Sequence, residues 1–215
     1  MYLSRVFLDS RNRLTMLALA FPNRFHGAIE ECFHRSDTRK LWRIDNLHDK
    51  LCLLILSEEK PELSYICSQF SESKDSWESK DYSPFLDSLR SNTIWRFRLT
   101  ANPTHSEPSK LKSESGTDKR SRGKVFAHIT VDSQEQWLYK HASQHGFELF
   151  ENEFTVVGTK WQHFQKGSER SIKILSVTYE GILHIVNVNL FRDALLKGIG
   201  RGKAYGMGLL TIMRV

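Results

Sequence analysis

Residues 41–57, LWRIDNLHDKLCLLILS, hold two runs of β-forming residues, LWRID (41–45) and LCLLILS (51–57), joined by a polar turn containing Asn and Asp. Upstream, YLSRVFL (2–8) alternates like a strand, and Pro22–Arg35 carries Phe25, Ile29, Cys32 and Phe33 at helical spacing. Downstream, a Pro-initiated helix is expected near Pro61–Cys67. The polar, Ser-rich residues 71–92 leave room for a weak last strand near Trp77, Tyr82 and Phe85. The order is βαββα with a further strand, and a domain boundary is expected around residues 86–93, giving chain ranges 1–90 and 91–215.

The second half repeats the order. In IWRFRLTANP (94–103), Ile94, Arg96, Arg98 and Thr100 alternate with Trp95, Phe97, Leu99 and Ala101, so one face is basic and the other apolar. Asp132 or Ser133 is expected to cap a helix carrying Trp137, Leu138 and Ala142 that ends at Gly146. FELFENEFTVVG and SIKILSVTYEGILHIVN supply strands around a basic middle, VNLFRDALLKG a second helix and GLLTIMRV a last strand. Two βαββαβ units make an α+β protein whose sheets are covered by helices on one face and open on the other.

Composition narrows the function. The 215 residues suit two compact units, and no apolar run approaches the roughly 20 residues of a membrane span, so a soluble chain is expected. MYLSRVFLDS lacks the order of a secretory signal, and the three cysteines (Cys32, Cys52, Cys67) show no CxxC spacing, so buried free thiols and a cytoplasmic location are expected. Lys+Arg number 31 against 25 Asp+Glu, a mildly basic balance that permits a polyanionic partner. Much of the excess lies between Lys110 and Lys124, where six basic residues face two acidic ones. There is no HExxH, no clustered carboxylate motif and no Cys/His set, so neither a metal nor another cofactor is expected.

The most specific stretch is GIGRGKAYGMGLL (198–210), in which Gly198, Gly200, Gly202, Gly206 and Gly208 would leave backbone amides uncovered beside Arg201 and Lys203, a combination suited to RNA phosphates. It resembles the glycine-rich loop of the repeat-associated RNA-processing proteins, which are built from paired ferredoxin-like domains. MYLSRV, FRLTANP (97–103) and WLYKH (137–141) are similar, in order and spacing, to the CasE branch, the endoribonuclease of the type I-E Cascade complex. The resemblance implies two tandem ferredoxin-like (RRM-like) domains and a metal-independent endoribonuclease. It implies cutting of the repeat hairpin in precursor CRISPR RNA by 2′-hydroxyl attack, leaving a 5′-hydroxyl and a 2′,3′-cyclic phosphate, and retention of the product for Cascade assembly. The implied partners are that RNA and other Cascade subunits, with no membrane and no small-molecule substrate. A non-cleaving subunit that caps the RNA hairpin is the alternative.

The family's catalytic histidine falls on His26 in FPNRFHGAIEECF. The apolar stripe of Phe25, Ile29, Cys32 and Phe33 leaves His26 about 100° round the helix, at the stripe's edge and in the first turn, where free amides favour an anion. Some relatives have a tyrosine three residues before this histidine; this chain has Asn23, which cannot act as an acid or base and would orient the ribose or cap the helix. A basic residue further along is matched by Glu31, so its role passes to Arg35 or is absent. Arg24, Arg35 or Lys203 would offset phosphate charge. RNA binding is expected from Lys119, Arg120, Arg122 and Lys124 in the basic loop, Lys140 and His141 on the second-domain helix, and Lys160, Lys166, Arg170 and Lys173 around a hairpin. Trp161 is expected to stack on a base, and Gly200, Arg201, Gly202 and Lys203 to hold phosphate. Trp42 and Trp137 sit in apolar patterns and are expected in the core.

Overall fold

The computed structural model describes residues 1–34, 38–47, 49–107, 124–166 and 170–215, without the side chains of Gln165, Lys166 and Arg170. The 41–57 stretch forms β2 (Leu41–Leu47) and β3 (Lys50–Ser57), paired antiparallel from Leu41↔Leu56 to Leu47↔Lys50. β1 (Tyr2–Phe7) lies along the other edge of β3, and the weak strand of the Ser-rich region is β4 (Trp77–Asp81), paired with β1. The sheet order is β2-β3-β1-β4, antiparallel throughout.

Three helices cover one face: α1 (Arg13–Ala20), α2 (Asn23–Glu30) and α3 (Ser64–Phe70). They bury Phe25, Ile29, Ile66 and Phe70 against Val6, Leu53 and Ile55. The helix expected over 22–35 is α2, which ends at Glu30, and a second short helix, α1, precedes it where none was expected. Asn12 caps α1 through Leu14 N, and Pro22, which has no N–H to donate, separates the pair. The first helix shows no clear apolar period because only Thr15 and Ala18 are buried while Leu14 and Met16 face outward. The third begins at Ser64, whose N–H is accepted by Glu62, rather than at Pro61.

The second unit is built on β5 (Thr93–Ala101), where Trp95, Phe97, Leu99 and Ala101 are buried and Ile94 and Arg96 exposed, matching the expected alternation. The chain reaches it through α4 (Ser83–Ser88), which crosses toward the second core and buries Leu86 and Leu89 there. A small ribbon of β6 (Thr104–Glu107) and β7 (Lys124–Ala127) follows, then α5 (Val131–Gln144). The cap of α5 is Thr130, whose hydroxyl accepts from Ser133 N; Asp132 and Ser133, the expected caps, lie inside the first turn because the helix starts earlier. A two-residue β8 (Phe147–Glu148) precedes the long hairpin of β9 (Phe154–Lys166) and β10 (Arg170–Ile185), and α6 (Val188–Lys197) leads to β11 (Leu210–Arg214). β11, β5, β10 and β9 lie side by side in that order, with β8 on the end of β10. Each sheet thus repeats one βαββαβ arrangement, and the protein is α+β with two ferredoxin-like domains.

The domains are tied by a buried guanidinium. Arg43, on β2, donates to the carbonyls of Arg98 (2.8 Å) and Leu209 (2.7 Å) and to the Thr211 hydroxyl (2.7 Å), all in the second domain. Leu41, Leu56 and Leu209 form an apolar seam beside it. Cys52 and Cys67 are buried and Cys32 half-buried, all three as free thiols. Burial pushes the Cys32 and Cys52 thiols up to about 11, too high for nucleophilic work near neutrality. No described helix is long and apolar enough to cross a membrane.

Candidate functional site

α2 carries the first group of candidate residues. Phe25 and Ile29 anchor the helix in the core, so its next positions face the rim, and the His26 side chain is 41% exposed. Its Nδ1 lies 3.7 Å from Glu30 Oε1, one turn on. Glu30 is held from behind by Lys40, whose ammonium is 2.8 Å from Glu30 Oε2 on a side chain only 1% exposed. Lys40 also sits 5.2 Å from the Phe33 ring centre. The imidazole therefore has a carboxylate near one nitrogen and is partly open to solvent. Asn23 makes no cap: Pro22 occupies the cap position, and Asn23 Oδ1 is buried with no hydrogen-bond partner among the described residues. Asn23, Phe21 and exposed Arg24 instead line an open pocket of about 500 Å³ with His163, Phe164 and Ser171 of the long hairpin. Arg35 lies outside the described residues.

The glycine loop faces the same helix. Lys203–Tyr205 forms a single 3₁₀ turn whose Cα atoms come within 8 Å of those of α2. Lys203 is half-buried, and desolvation followed by repulsion from Arg39 lowers its pKa. Arg201 is exposed and bridges to Asn102 of the FRLTANP block. The loop's amides are partly spent inside the fold: Gly208 N–H donates to Thr100 O, Gly206 N–H to Lys203 O and Gly198 N–H to Ala194 O. Sterics account for two of the glycines. A Cβ at Gly200 would sit 3.1 Å from the Trp137 ring, and one at Gly206, where φ is 79°, would sit 2.7 Å from Cζ3 of Trp42. Gly206→Ala is therefore expected to lower unfolding stability by about 1–3 kcal/mol, since the backbone strain and the collision with a buried ring add together. Thermal denaturation reads this directly, and an unchanged midpoint would contradict the packing account.

The basic residues of the second domain divide between surfaces. Along β9, Lys160 and Gln162 face the first domain, whereas Trp161 projects from the other side of the hairpin with Lys173 4.6 Å from its ring centre. Trp161 is 38% exposed, unlike Trp42 and Trp137, which are core residues as expected. Lys140 is exposed on α5. His141 is stacked on Trp137 at 3.9 Å with Nδ1 2.8 Å from Trp137 O, and burial holds its pKa below the usual histidine value. Lys124 opens β7 and is exposed; Lys119, Arg120 and Arg122 lie outside the described residues, as do the side chains of Lys166 and Arg170.

Residues 1–214 match the family model described as CRISPR associated protein. The chain belongs to that family. It is 25% identical to the CRISPR-associated endoribonuclease Cse3 of Thermus thermophilus, over 99% of each chain. Thermus thermophilus Cse3 bound to an RNA representing a pre-cleavage complex superposes with a TM-score of 0.76 at 24% identity, covering 99% of this chain and 98% of that one. The protein Cas6e from Escherichia coli K-12 superposes at 0.67 with 21% identity over the full length of both.

Within this family member, three groups escaped sequence reasoning. Glu30 and Lys40 are ten residues apart and meet only because β2 folds back beside α2. Arg39 precedes β2 in an unremarkable polar segment, yet its charge reaches Lys203 across the domain boundary. Tyr205, inside the glycine loop, packs its ring 4.7 Å from Phe164 of the hairpin. A partly exposed imidazole with a carboxylate one turn away and the cationic glycine-loop turn thus meet at one short helix, α2.

Proposed function

We propose that this CRISPR associated protein is an endoribonuclease that cuts the repeat hairpin of precursor CRISPR RNA without a metal cofactor and keeps the product bound for assembly with other Cascade subunits. The observation that carries the reading is the open imidazole of His26, backed by Glu30 and Lys40 and set on a helix that packs against the glycine-loop turn. Full-length similarity to an endoribonuclease supports it.

RNA brings its own nucleophile. The ribose 2′-oxygen loses its proton and bonds to phosphorus, the bond to the 5′-oxygen breaks, and that oxygen takes a proton, leaving a 2′,3′-cyclic phosphate and a 5′-hydroxyl. His26 moves the proton, with Glu30 holding the ring so that Nε2 faces the RNA. Lys203, Arg24 and Arg39 offset charge on the pentavalent phosphorus. Lys124, Lys140, Lys160, Lys173, Arg201 and Trp161 hold the hairpin, joined by Lys119, Arg120, Arg122, Lys166 and Arg170.

Asn23 favours a second reading, a family member that binds the hairpin without cutting it, because a side-chain amide cannot exchange a proton at neutral pH. Incubating the protein with repeat RNA from its own genome in EDTA and mapping the ends separates the two. Cleavage by wild type but not by His26→Ala, with binding retained in both, supports the enzyme; binding without cleavage supports the second reading. In either case log affinity should fall linearly with log salt, by about 0.7–0.9 per phosphate contact. A flat response over 50–300 mM salt, roughly the range in which such slopes are read, would remove the basic surface from the account.

A further inference from the structure

Attack by a 2′-hydroxyl needs two proton transfers, one from the attacking oxygen and one to the leaving oxygen. These oxygens stand roughly in line on opposite sides of phosphorus, so the groups that serve them must approach from opposite sides. His26 is one such group. Asn23, one turn earlier on the same helix, cannot be the other, because an amide exchanges no proton at neutral pH. The second must come from another element.

The open pocket of about 500 Å³ at the head of α2 has such an element as its far wall. Phe21, Asn23 and Arg24 line one side, and His163, Phe164 and Ser171 of the long hairpin line the other. His163 is the one imidazole among these residues, and it is exposed. Among the described residues β9 pairs only with β10, which leaves its outer edge free. His163 and Phe164 point to opposite faces of that strand yet line the same pocket, so the free edge is what faces α2. Phe164 fixes the place of its neighbour: it is 3% exposed, and its ring lies 4.7 Å from that of Tyr205, in the turn that packs against α2. His141, His145 and His184 each have a ring nitrogen taken up by a carbonyl or carboxylate of the protein, whereas His163 has no hydrogen-bond or ion-pair partner among the described residues.

We infer that His163 is the second proton-transfer group and shares the cut with His26 across the phosphate. The assignment rests on the endoribonuclease reading above and supplies what Asn23 lacks. Asn23 and His26, three positions apart, are neighbours on the helix surface with Cβ atoms about 5–6 Å apart, so a phosphodiester at the mouth of the pocket meets His26 from the helix and His163 from the hairpin. One imidazole takes the 2′-hydroxyl proton as that oxygen bonds to phosphorus. The other gives its proton to the 5′-oxygen as the bond from that oxygen to phosphorus breaks, and exchange with water restores both rings.

Single-turnover cleavage of the genomic repeat hairpin in EDTA tests the assignment, with the natural 5′-oxygen at the mapped cut and with sulfur in its place. Sulfur departs without a proton, so with that substrate the group serving the leaving atom is no longer needed, while the group serving the 2′-hydroxyl still is. His163→Ala and His163→Gln should each slow cleavage of the oxygen substrate at least about 10²-fold. Their affinity for an uncleavable 2′-deoxy hairpin should change less than about threefold, since Lys and Arg dominate binding. Of His163→Ala and His26→Ala, one should regain near-wild-type rates with sulfur and the other should stay slow, which tells acid from base. Near-wild-type cleavage of the oxygen substrate by either His163 variant, equal losses of rate and affinity, or failure of sulfur to distinguish the two alanine variants overturns the assignment. If wild type binds the hairpin without cutting it, the endoribonuclease reading itself fails; if wild type and His163→Ala both cut and His26→Ala does not, only the role of His163 falls.

Discussion

His26→Ala is expected to slow single-turnover cleavage of the repeat hairpin by about 10²–10⁴-fold, the range a single positioned proton-transfer group contributes. The expectation follows from how little else the side chain does. It is 41% exposed, touches Glu30 at 3.7 Å, and lies beside the buried stripe of α2 rather than in it, so its removal should leave the fold intact. RNA affinity should change by less than about threefold, because one partly exposed ring adds little to a binding surface dominated by Lys and Arg. Rates with enzyme in excess, together with binding to an uncleavable hairpin, check both parts. Cleavage by His26→Ala at the wild-type rate would sink the proposed chemistry, whereas parallel loss of rate and affinity would point to a binding role for the imidazole.

The second large effect concerns the joint between the domains. The Arg43 guanidinium is 2% exposed and makes a paired contact with Asp45, Nε to Oδ1 at 2.8 Å and Nη2 to Oδ2 at 2.6 Å, in addition to its three bonds into the second domain. Arg43→Ala strips Asp45, itself 4% exposed, of that partner and leaves the Leu209 carbonyl without its donor. Breaking a buried pair in this way typically costs about 3–5 kcal/mol, and because Arg98 Nε stays 3.1 Å from Asp45 Oδ1 the loss here is expected at the lower end of that range. Loss of that size should appear as a lowered urea midpoint. Cleavage should fall as well, since β2 also carries Trp42 and follows Lys40, and the same bonds hold it against β5 and β11. A midpoint within about 1 kcal/mol of wild type would show that the guanidinium is not the fastening it resembles. Arg43→Met, which fills the space without the charge, should lose less than Arg43→Ala if the orphaned neighbours can turn to each other or to water.

Much of the molecule is legible in its sequence. The alternation in IWRFRLTANP named the buried and exposed faces of β5 correctly, and the polar 71–92 stretch did contain the edge strand that completes the first sheet. The half-sheltered position of the His26 imidazole at the edge of the α2 stripe followed from helical spacing alone. Misreadings had local causes. The first helix is nearly featureless in period because its outer face is as apolar as its inner one, and the break at Pro22 was read as a beginning rather than as a junction. Asn23 looked like a cap from its residue type, but the helix starts one position earlier and its amide turns inward.

What the chain determined by itself was the order and type of its elements, the placing of histidine at a helix edge and the cationic character of one loop and one hairpin, because these depend on residues within a turn or a strand of one another. Only the tertiary structure decided that Lys40 steadies Glu30, that Lys160 and Trp161 part to opposite faces, that Arg43 fastens two domains across 166 positions of sequence, and that Asn23 and His163 line one pocket. The physical reason is that each of these pairings is made by burial between distant segments, and a donor or acceptor does not reveal its partner until the packing around it is set.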